Sequence, residues 1–571
     1  MVKLYYINSI FTLFIDNKKE DITKFLQKIN INEEAFKFLT FIENQQIEGL
    51  GIDNLYEVEN IKMYYYVRPS IYEQIKNYIF IINVIDSIMN RFDSIEIYTD
   101  DANLNIVTES IFNIKSSLLE GNNKVSKRHK YIIKYFFRSA KSLRALVKLL
   151  INRDKDRFLV VSHSADINKI ESEEGYLYYD TQLGLVVDRL KSHYDLLNLQ
   201  LLNSSEHLTK SIVYKEEYVP FELFSLYKRV RGVKLLKQRK ITNKLGLLNR
   251  VDYRYRGLDL SQVMINHIFK DIKGEYESYA QEILCAKNLM KCLKIKKCLI
   301  AGEGDRGRCF ITAAKILGIK AFAVQHGIIN QYSPSYIINC ENQNKLIPDM
   351  TFLWGEKYKK VLKNYTNIYN YNNTKVVGQV RTDLLRERVN NNIHEHKSTI
   401  KILYATQYIK DLLEPATKIL FEALSNLNLN YELVIKLHPS DKYEGLYKQL
   451  ANEYNIKNVS ILKEGDIYSM IRWSDIIVSV HSTVIVEGAI FNKPSICIIM
   501  PKYNDEGNFI KDGVSYSART WEDIVETIKR VNVNGEDILY TYRQDYIVNN
   551  FYKIDGKVTD RIIELINVSE R

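Results

Sequence analysis

Short runs of β-branched and aromatic residues recur along the chain, each followed by a longer stretch whose apolar positions have helical spacing. That alternation predicts βαβ units and parallel sheets. In the first half the runs are 2–7 (VKLYYI), 94–99 (SIEIYT), 157–162 (RFLVVS), 297–301 (KCLIA), 320–325 (KAFAVQ), 350–354 (MTFLW) and 374–377 (TKVV), and one sheet is expected from them. The intervening segment from about 165 to 295 reads as a helical insertion. At 388–399 the chain reads RVNNNIHEHKST, polar and aperiodic, which marks a linker. The rhythm then restarts with strands at 400–405, 431–437, 458–462, 476–480 and 495–499. The expected division is a first domain over 1–388, a second over 399–545, and a closing helix within 546–571 that packs back on the first.

Length and composition agree with this picture. At 571 residues, and with a prior of roughly 150 residues per domain, two to four domains are expected. Hydrophobic residues at 46% and charged residues at 26% are globular proportions, and no stretch approaches the roughly 18 apolar residues of a membrane span. The apolar segment Ile10–Ile15 lacks a basic leader and a cleavage site, so it does not read as a signal peptide. The six cysteines include no CxxC pair, which argues against a zinc site or disulfide framework and for a reducing, cytoplasmic setting. Net charge is +11, with a local excess over 228–240. A solvated helix face is the ordinary explanation of such a run; peripheral contact with an anionic membrane surface is the functional one. No nucleic-acid module accompanies it.

In parallel sheets ligands bind beyond the carboxyl ends of the strands, so the strand ends carry the candidate chemistry. The first is Gly302-Glu303-Gly304-Asp305, part of a GxGxxG completed by Gly307. Two carboxylates in the loop, and no acidic residue about 20 positions on, argue against dinucleotide binding. Glu303 and Asp305 are candidate acceptor-binding groups or a general base. The second is Gln325-His326-Gly327, expected to share a rim with the first. The third is Lys436-Leu437-His438-Pro439, where the proline fixes an extended histidine. The fourth is Ser479 to Thr483, a hydroxyl-rich strand-to-helix junction suited to phosphate, with Glu487 one turn on. Asp154-Lys155-Asp156 precedes a strand, and His394-Glu395-His396 lacks the spacing of a helical metal pair, so neither is taken as a metal site. No lysine-bearing phosphate loop or GxSxG turn is present.

From about Lys297 to Ser517 the chain resembles GT-B glycosyltransferase-like proteins of bacterial surface polysaccharide synthesis: capsule, Kdo and sialyl transferases, and CDP-glycerol glycerophosphotransferases. The resemblance rests on AAKILGIKAFAVQHG, VVGQVRTDLL, KLHPSD and SDIIVSVHSTVIVEGAIFNKPSI. It implies an α/β GT-B fold of two Rossmann-like domains facing a cleft. It places His438, Ser482 and Thr483 on the donor phosphate and Glu487 near ribose or base; Lys436, Pro439 and Ser479, at the same strand ends, are grouped with them as donor-binding candidates, and Gln325 and Gly327 are acceptor-side or cleft candidates. The base is left among Glu303, Asp305 and His326, since the acidic motif of sialyltransferases is here interrupted by glycine. The first 290 residues match no motif.

The expected function is inverting, metal-independent transfer of a sugar from a nucleotide-activated donor, a CMP-sugar by resemblance, to a glycan, glycolipid or glycoprotein acceptor, without a cofactor. The alternatives are a CDP-glycerol-type glycerophosphotransferase, a UDP-sugar 2-epimerase, and a non-catalytic scaffold binding nucleotide or polymer.

Overall fold

The computed structural model describes residues 2–7, 10–20, 22–27, 29–118, 134–135, 137–140, 147, 156–172, 175–340, 345–385, 399–500, 503, 505 and 507–568. The linker at 388–398, with His394-Glu395-His396, and Asp154-Lys155 lie outside the described residues.

Two parallel sheets carry the architecture, each in a Rossmann-like layer between helices, facing one another across a cleft. This is the GT-B arrangement. The N-terminal one has seven strands in the spatial order Val219–Pro220, Asp195–Leu201, Arg157–His163, Ile295–Ala301, Lys320–Val324, Met350–Leu353 and Thr374–Val376. Its central strands are buried on both faces, which is why Phe158 to Val161 and Cys298 to Ala301 form continuous apolar runs. The C-terminal sheet has six: Val459–Leu462, Tyr431–Lys436, Ile400–Ala405, Ile476–Ser479, Ser495–Ile498 and Tyr516–Ala518. In both sheets the chain works outward on one side and then jumps back past its first strand. The resulting switch points lie between Arg157–His163 and Ile295–Ala301, and between Ile400–Ala405 and Ile476–Ser479.

Two expectations change. Residues 2–7 and 95–99 do not join the large sheet; they pair with each other in a separate five-stranded sheet packed by the helices Tyr64–Met89, whose Phe80 meets Phe11, and Ala102–Ser110. Periodicity identifies a strand but carries no information about which neighbour it takes. The segment 165–295 does hold long helices, Phe221–Lys237 and Ile272–Cys292. It also contains the strand Asp195–Leu201, which pairs along its whole length with Arg157–His163. After the C-terminal sheet the chain returns: Val558, Ile562 and Ile566 of the closing helix are fully buried in one cluster with Val377 and Val380 of the N-terminal half.

Candidate functional site

The N-terminal switch point is pinned by a histidine. His163 ends its strand, and its Nε2 donates to the carbonyl of Ala301 at the end of the adjacent strand, 3.0 Å away. Asn203 donates to Nδ1 at 3.0 Å, so the ring is held as one neutral tautomer. Burial lowers its pKa accordingly.

Three residues later the chain turns at Asp166, a buried carboxylate. His326, at the end of Lys320–Val324, directs Nε2 to Asp166 Oδ1 at 3.2 Å, and its ring lies 5.5 Å from that of His163. The His326 side chain remains 44% exposed, so it is the open face of this cluster. The Asp166 carboxylate raises the pKa of His326. Burial opposes ionisation of Asp166, but the imidazole outweighs it and holds the carboxyl well below the usual range. The other oxygen, Oδ2, is buried without a hydrogen-bond partner. Asp180 lies nearby, its Oδ1 accepting the N–H groups of Gln182 and Leu183; burial and the Asp166 charge raise its pKa.

The close approach of the loops depends on glycine. Gly302 has φ +80°, and a Cβ there would stand 2.7 Å from His326 Cβ; a Cβ on Gly307 would stand 2.6 Å from the Gly302 carbonyl. Two of the three glycines of the GxGxxG pattern are therefore explained by packing, Gly302 against His326 and Gly307 against the Gly302 carbonyl, while Gly304 faces open space. Gly327, at φ +90°, turns the chain after His326.

Not every predicted residue faces the cleft. Glu303 is 1% exposed and points into the interior, where Thr351 Oγ1 donates to it at 2.6 Å and the Tyr369 hydroxyl donates to its other oxygen. Burial raises its pKa. This sets it apart from an acceptor hydroxyl in the cleft. Gln325 is likewise buried: its amide holds Gly327 O at 2.8 Å and accepts the Trp354 N–H at 2.9 Å, so it shapes the turn and does not line the cleft. Asp305 begins the helix Asp305–Ile316; its side chain falls outside what the structure describes.

The C-terminal switch point mirrors the first. Ser479 Oγ donates to the carbonyl of Ala405 at 2.7 Å, bridging the two diverging strands, and is fully buried. It is thus a fastener, with no exposed hydroxyl for a ligand. Ser482 accepts the Val484 N–H at 3.3 Å at the head of the short helix Val484–Ile490, while Thr483 is exposed and makes no cap bond. Glu487 is buried and ion-paired to Arg381 of the N-terminal half, and so is not open to a ribose in this arrangement.

His438 follows the neighbouring strand. Its backbone N–H is held by Thr406 Oγ1 at 3.0 Å, and its Nδ1 accepts the Ser440 N–H at 3.1 Å within the turn made by Pro439. That bond assigns the proton to Nε2, which becomes a donor. Thr406 also donates to Asp441 at 2.9 Å, tying the loops together. Lys436 Nζ donates to the carbonyls of Leu437 and Lys463 at 2.9 and 2.8 Å. Across the cleft, Lys210 Nζ donates to Ala165 O at 2.9 Å, and buried His207 lies beside Ser164.

These groups raise a positive potential together. Burial and then the Lys436 and Lys210 charges push His438 down to about 4. Burial, Lys210 and His438 push His207 down to about 3. Burial alone leads in lowering Lys210 and Lys436, each to about 8. A cluster that suppresses its own protonation is one that an anion would relieve. Tyr408, 53% exposed, sets its ring 4.8 Å from that of His438 and offers an aromatic wall beside the cluster.

Asp166, His163, His207 and Lys210 are not among the residues found from sequence. The first two follow a strand the sequence does reveal, and the strand-end rule extended to VVSHSAD reaches them. The other two follow Asp195–Leu201, a strand inside the segment whose sequence reads as helical.

No family model matches the sequence, and no curated protein does. Among solved structures, the S. aureus MnaA complex with UDP is 13% identical with a TM-score of 0.44, over 73% of this chain and 96% of that one. The UDP-GlcNAc 2-epimerase from Neisseria meningitidis bound to UDP-GlcNAc is 14% identical with a TM-score of 0.43, over 72% and 99%. The wall teichoic acid polymerase TagF is 10% identical with a TM-score of 0.42, over 79% and 98%. Such distant likenesses leave the chemistry to rest on the residues above.

Proposed function

We propose that this protein is a glycosyltransferase that moves a sugar, with inversion, from a nucleotide-activated donor to an acceptor hydroxyl on a glycan or glycoconjugate. One observation carries the reading: the His326–Asp166 pair on the N-terminal rim, with Lys210 beside it, lies opposite His438 and Lys436 on the C-terminal rim, and the three cationic or imidazole groups act on one another. A base and an anion site across one cleft are what such a transfer requires.

His326 is the base in this reading. Its Nε2 is engaged by Asp166, which leaves Nδ1 to accept the proton of the attacking hydroxyl while Asp166 stabilises the imidazolium that forms. The hydroxyl oxygen bonds to the anomeric carbon as the bond from that carbon to the phosphate oxygen breaks, and the electron pair leaves with the phosphate. His438 Nε2–H, Lys436 and Lys210 then neutralise the developing charge. Because protein cations supply that charge, the step as written needs no divalent ion. Thr483 and Ser482 flank the same switch point and would add donors to the phosphate, with Tyr408 against the base or sugar.

The resemblance favours a CMP-activated sugar. The same base and cations would also serve attack at phosphorus on a CDP-glycerol donor, and donor identity separates the two. A thermal-shift panel of CMP, CDP, UDP, GDP and their conjugates tests the site, since selective binding stabilises the folded state. The expected result is a raised midpoint with one nucleotide class, abolished in His438→Ala; no shift with any of them would overturn the donor site. Product analysis with the stabilising donor and a hydroxyl acceptor then reads out which bond is made. Release of a 2-epimer from UDP-GlcNAc without acceptor would replace transfer by epimerisation.

A further inference from the structure

The helix Phe221–Lys237 buries Phe221, Phe224, Gly232 and Leu236 on one side. Its other side is unusual for a helix packed on a sheet. Leu226, Val230 and Val233 are 58%, 71% and 49% exposed, and their i, i+4, i+7 spacing aligns them in one outward stripe. Arg229, Arg231, Lys234 and Lys237 are exposed around that stripe, and Lys240 follows it. Two acidic groups at the helix are neutralised by ion pairs: Glu282 is buried against Lys228, and Glu222, one turn before Leu226, pairs with Arg138. Glu275 is exposed at the start of the neighbouring helix Ile272–Cys292, two residues from Lys273, and Lys287 and Lys291 stand at the far end of that helix. Phe137, next to Arg138 and so close to the head of the helix, is a further exposed apolar group, at 58%.

A solvated helix face does not need three branched apolar residues in register, and a protein interface does not need its whole border to be of one charge. An apolar stripe bordered by lysine and arginine fits one surface well: acyl chains below, anionic headgroups around. We propose that the outward face of Phe221–Lys237 docks peripherally on an anionic lipid bilayer. Leu226, Val230 and Val233 enter the interface, and Arg229, Lys234 and Lys237 pair with headgroup phosphates. No helix among the described residues is long and apolar enough to cross a membrane, so this contact would be reversible. The position adds a functional consequence. Phe221 directly follows the edge strand Val219–Pro220, so the helix starts at the carboxyl end of the sheet, on the rim that carries the cleft. A bilayer lying along it would bring a lipid-linked acceptor to that rim; this last clause rests on the proposed transferase activity, whereas the docking itself does not.

Flotation of the full chain with lipid vesicles tests the docking without any substrate, so its outcome is independent of whether the transfer reaction is correct. Vesicles of phosphatidylcholine alone are compared with vesicles containing phosphatidylglycerol, at low and high salt. Binding is expected to the anionic vesicles only and to weaken with salt. Arg229→Glu with Lys234→Glu should weaken it at least ten-fold, since each cation near the surface contributes about 1 kcal/mol. Val230→Asp should weaken it at low and high salt alike. All three positions are exposed, so melting curves of the variants should match the parent. Absence of binding to anionic vesicles would overturn the proposal, as would binding that neither variant changes. A Val230-dependent dimer without vesicle binding would overturn it too, by assigning the stripe to a second copy of the chain.

Discussion

Arg381 and Glu487 form an ion pair that joins the two halves of the molecule across the cleft, with both side chains largely withdrawn from water. Arg381 stands on the helix Arg381–Leu385, the last one described before the linker, and its charge is also felt by Asp166, Asp180 and His326. One cation thus ties the C-terminal half to the carboxylate that orients the proposed base. Glu487→Gln leaves the guanidinium buried without its counter-charge, and the expected cost is roughly 3–5 kcal/mol. A lowered denaturation midpoint in urea or heat checks this, and an unchanged midpoint would mean the pair is solvated in solution.

His326→Ala should lower kcat by about 10²–10⁴ while nucleotide binding by thermal shift persists, the range expected for loss of a general base. If turnover survives intact, the base is elsewhere in the cleft.

Asp166→Asn preserves the shape of the pair but removes its charge. Since the carboxylate raises the pKa of His326, and a base acts only when unprotonated, the acidic limb of kcat/KM in the parent should lie above the ordinary histidine value of about 6.5. In the variant that limb should move to lower pH. The same sign governs stability. The pair contributes fully below the unfolded histidine pKa and is lost as pH rises through the raised folded value. A pH profile of rate, beside one of melting temperature, checks both.

On the alkaline side, Lys210 and Lys436 lose their charge near 8 in the free protein. Activity at low donor concentration should therefore fall above that pH, chiefly through a rising KM, because bound phosphate holds the lysines protonated. Lys210→Met should raise KM at neutral pH and weaken that alkaline dependence.

Gly302→Ala would place a methyl group 2.7 Å from His326 Cβ on a backbone with positive φ. The expected outcome is a shifted His326 loop, lower kcat, and a destabilisation of about 1–3 kcal/mol. Gly304→Ala, at a φ open to all residues and with nothing within 4 Å, is the matched control.

The sequence discloses the strand ends well and their company poorly. His326 and His438 stand out because apolar runs stop on them, and that is where both are found. Glu303 stands out for the same reason and is buried, since loop position does not reveal which way a side chain turns; that is decided by Thr351 and Tyr369, about 50 and 65 residues away. Glu487 looks free by helical spacing, and its partner Arg381 lies across the linker. Lys210 and His207 are hidden for another reason. In DLLNLQL the alternation is short and leucine-rich, and leucine suits a helix as readily as a strand. The separate N-terminal sheet was equally out of reach, because pairing choice is a tertiary property.

The closing helix bears on how the two halves are joined. Asp383, two residues from Arg381, accepts the Val558 and Thr559 N–H groups at 3.1 and 2.8 Å, so the returning chain is stitched to the N-terminal half beside the point where the outgoing chain leaves it. The outgoing and returning chain therefore cross at one place, beside an apolar cluster in which Trp354 of the N-terminal half shares a core with Ile477 and Phe551, so the joint between the halves is packed as well as threaded.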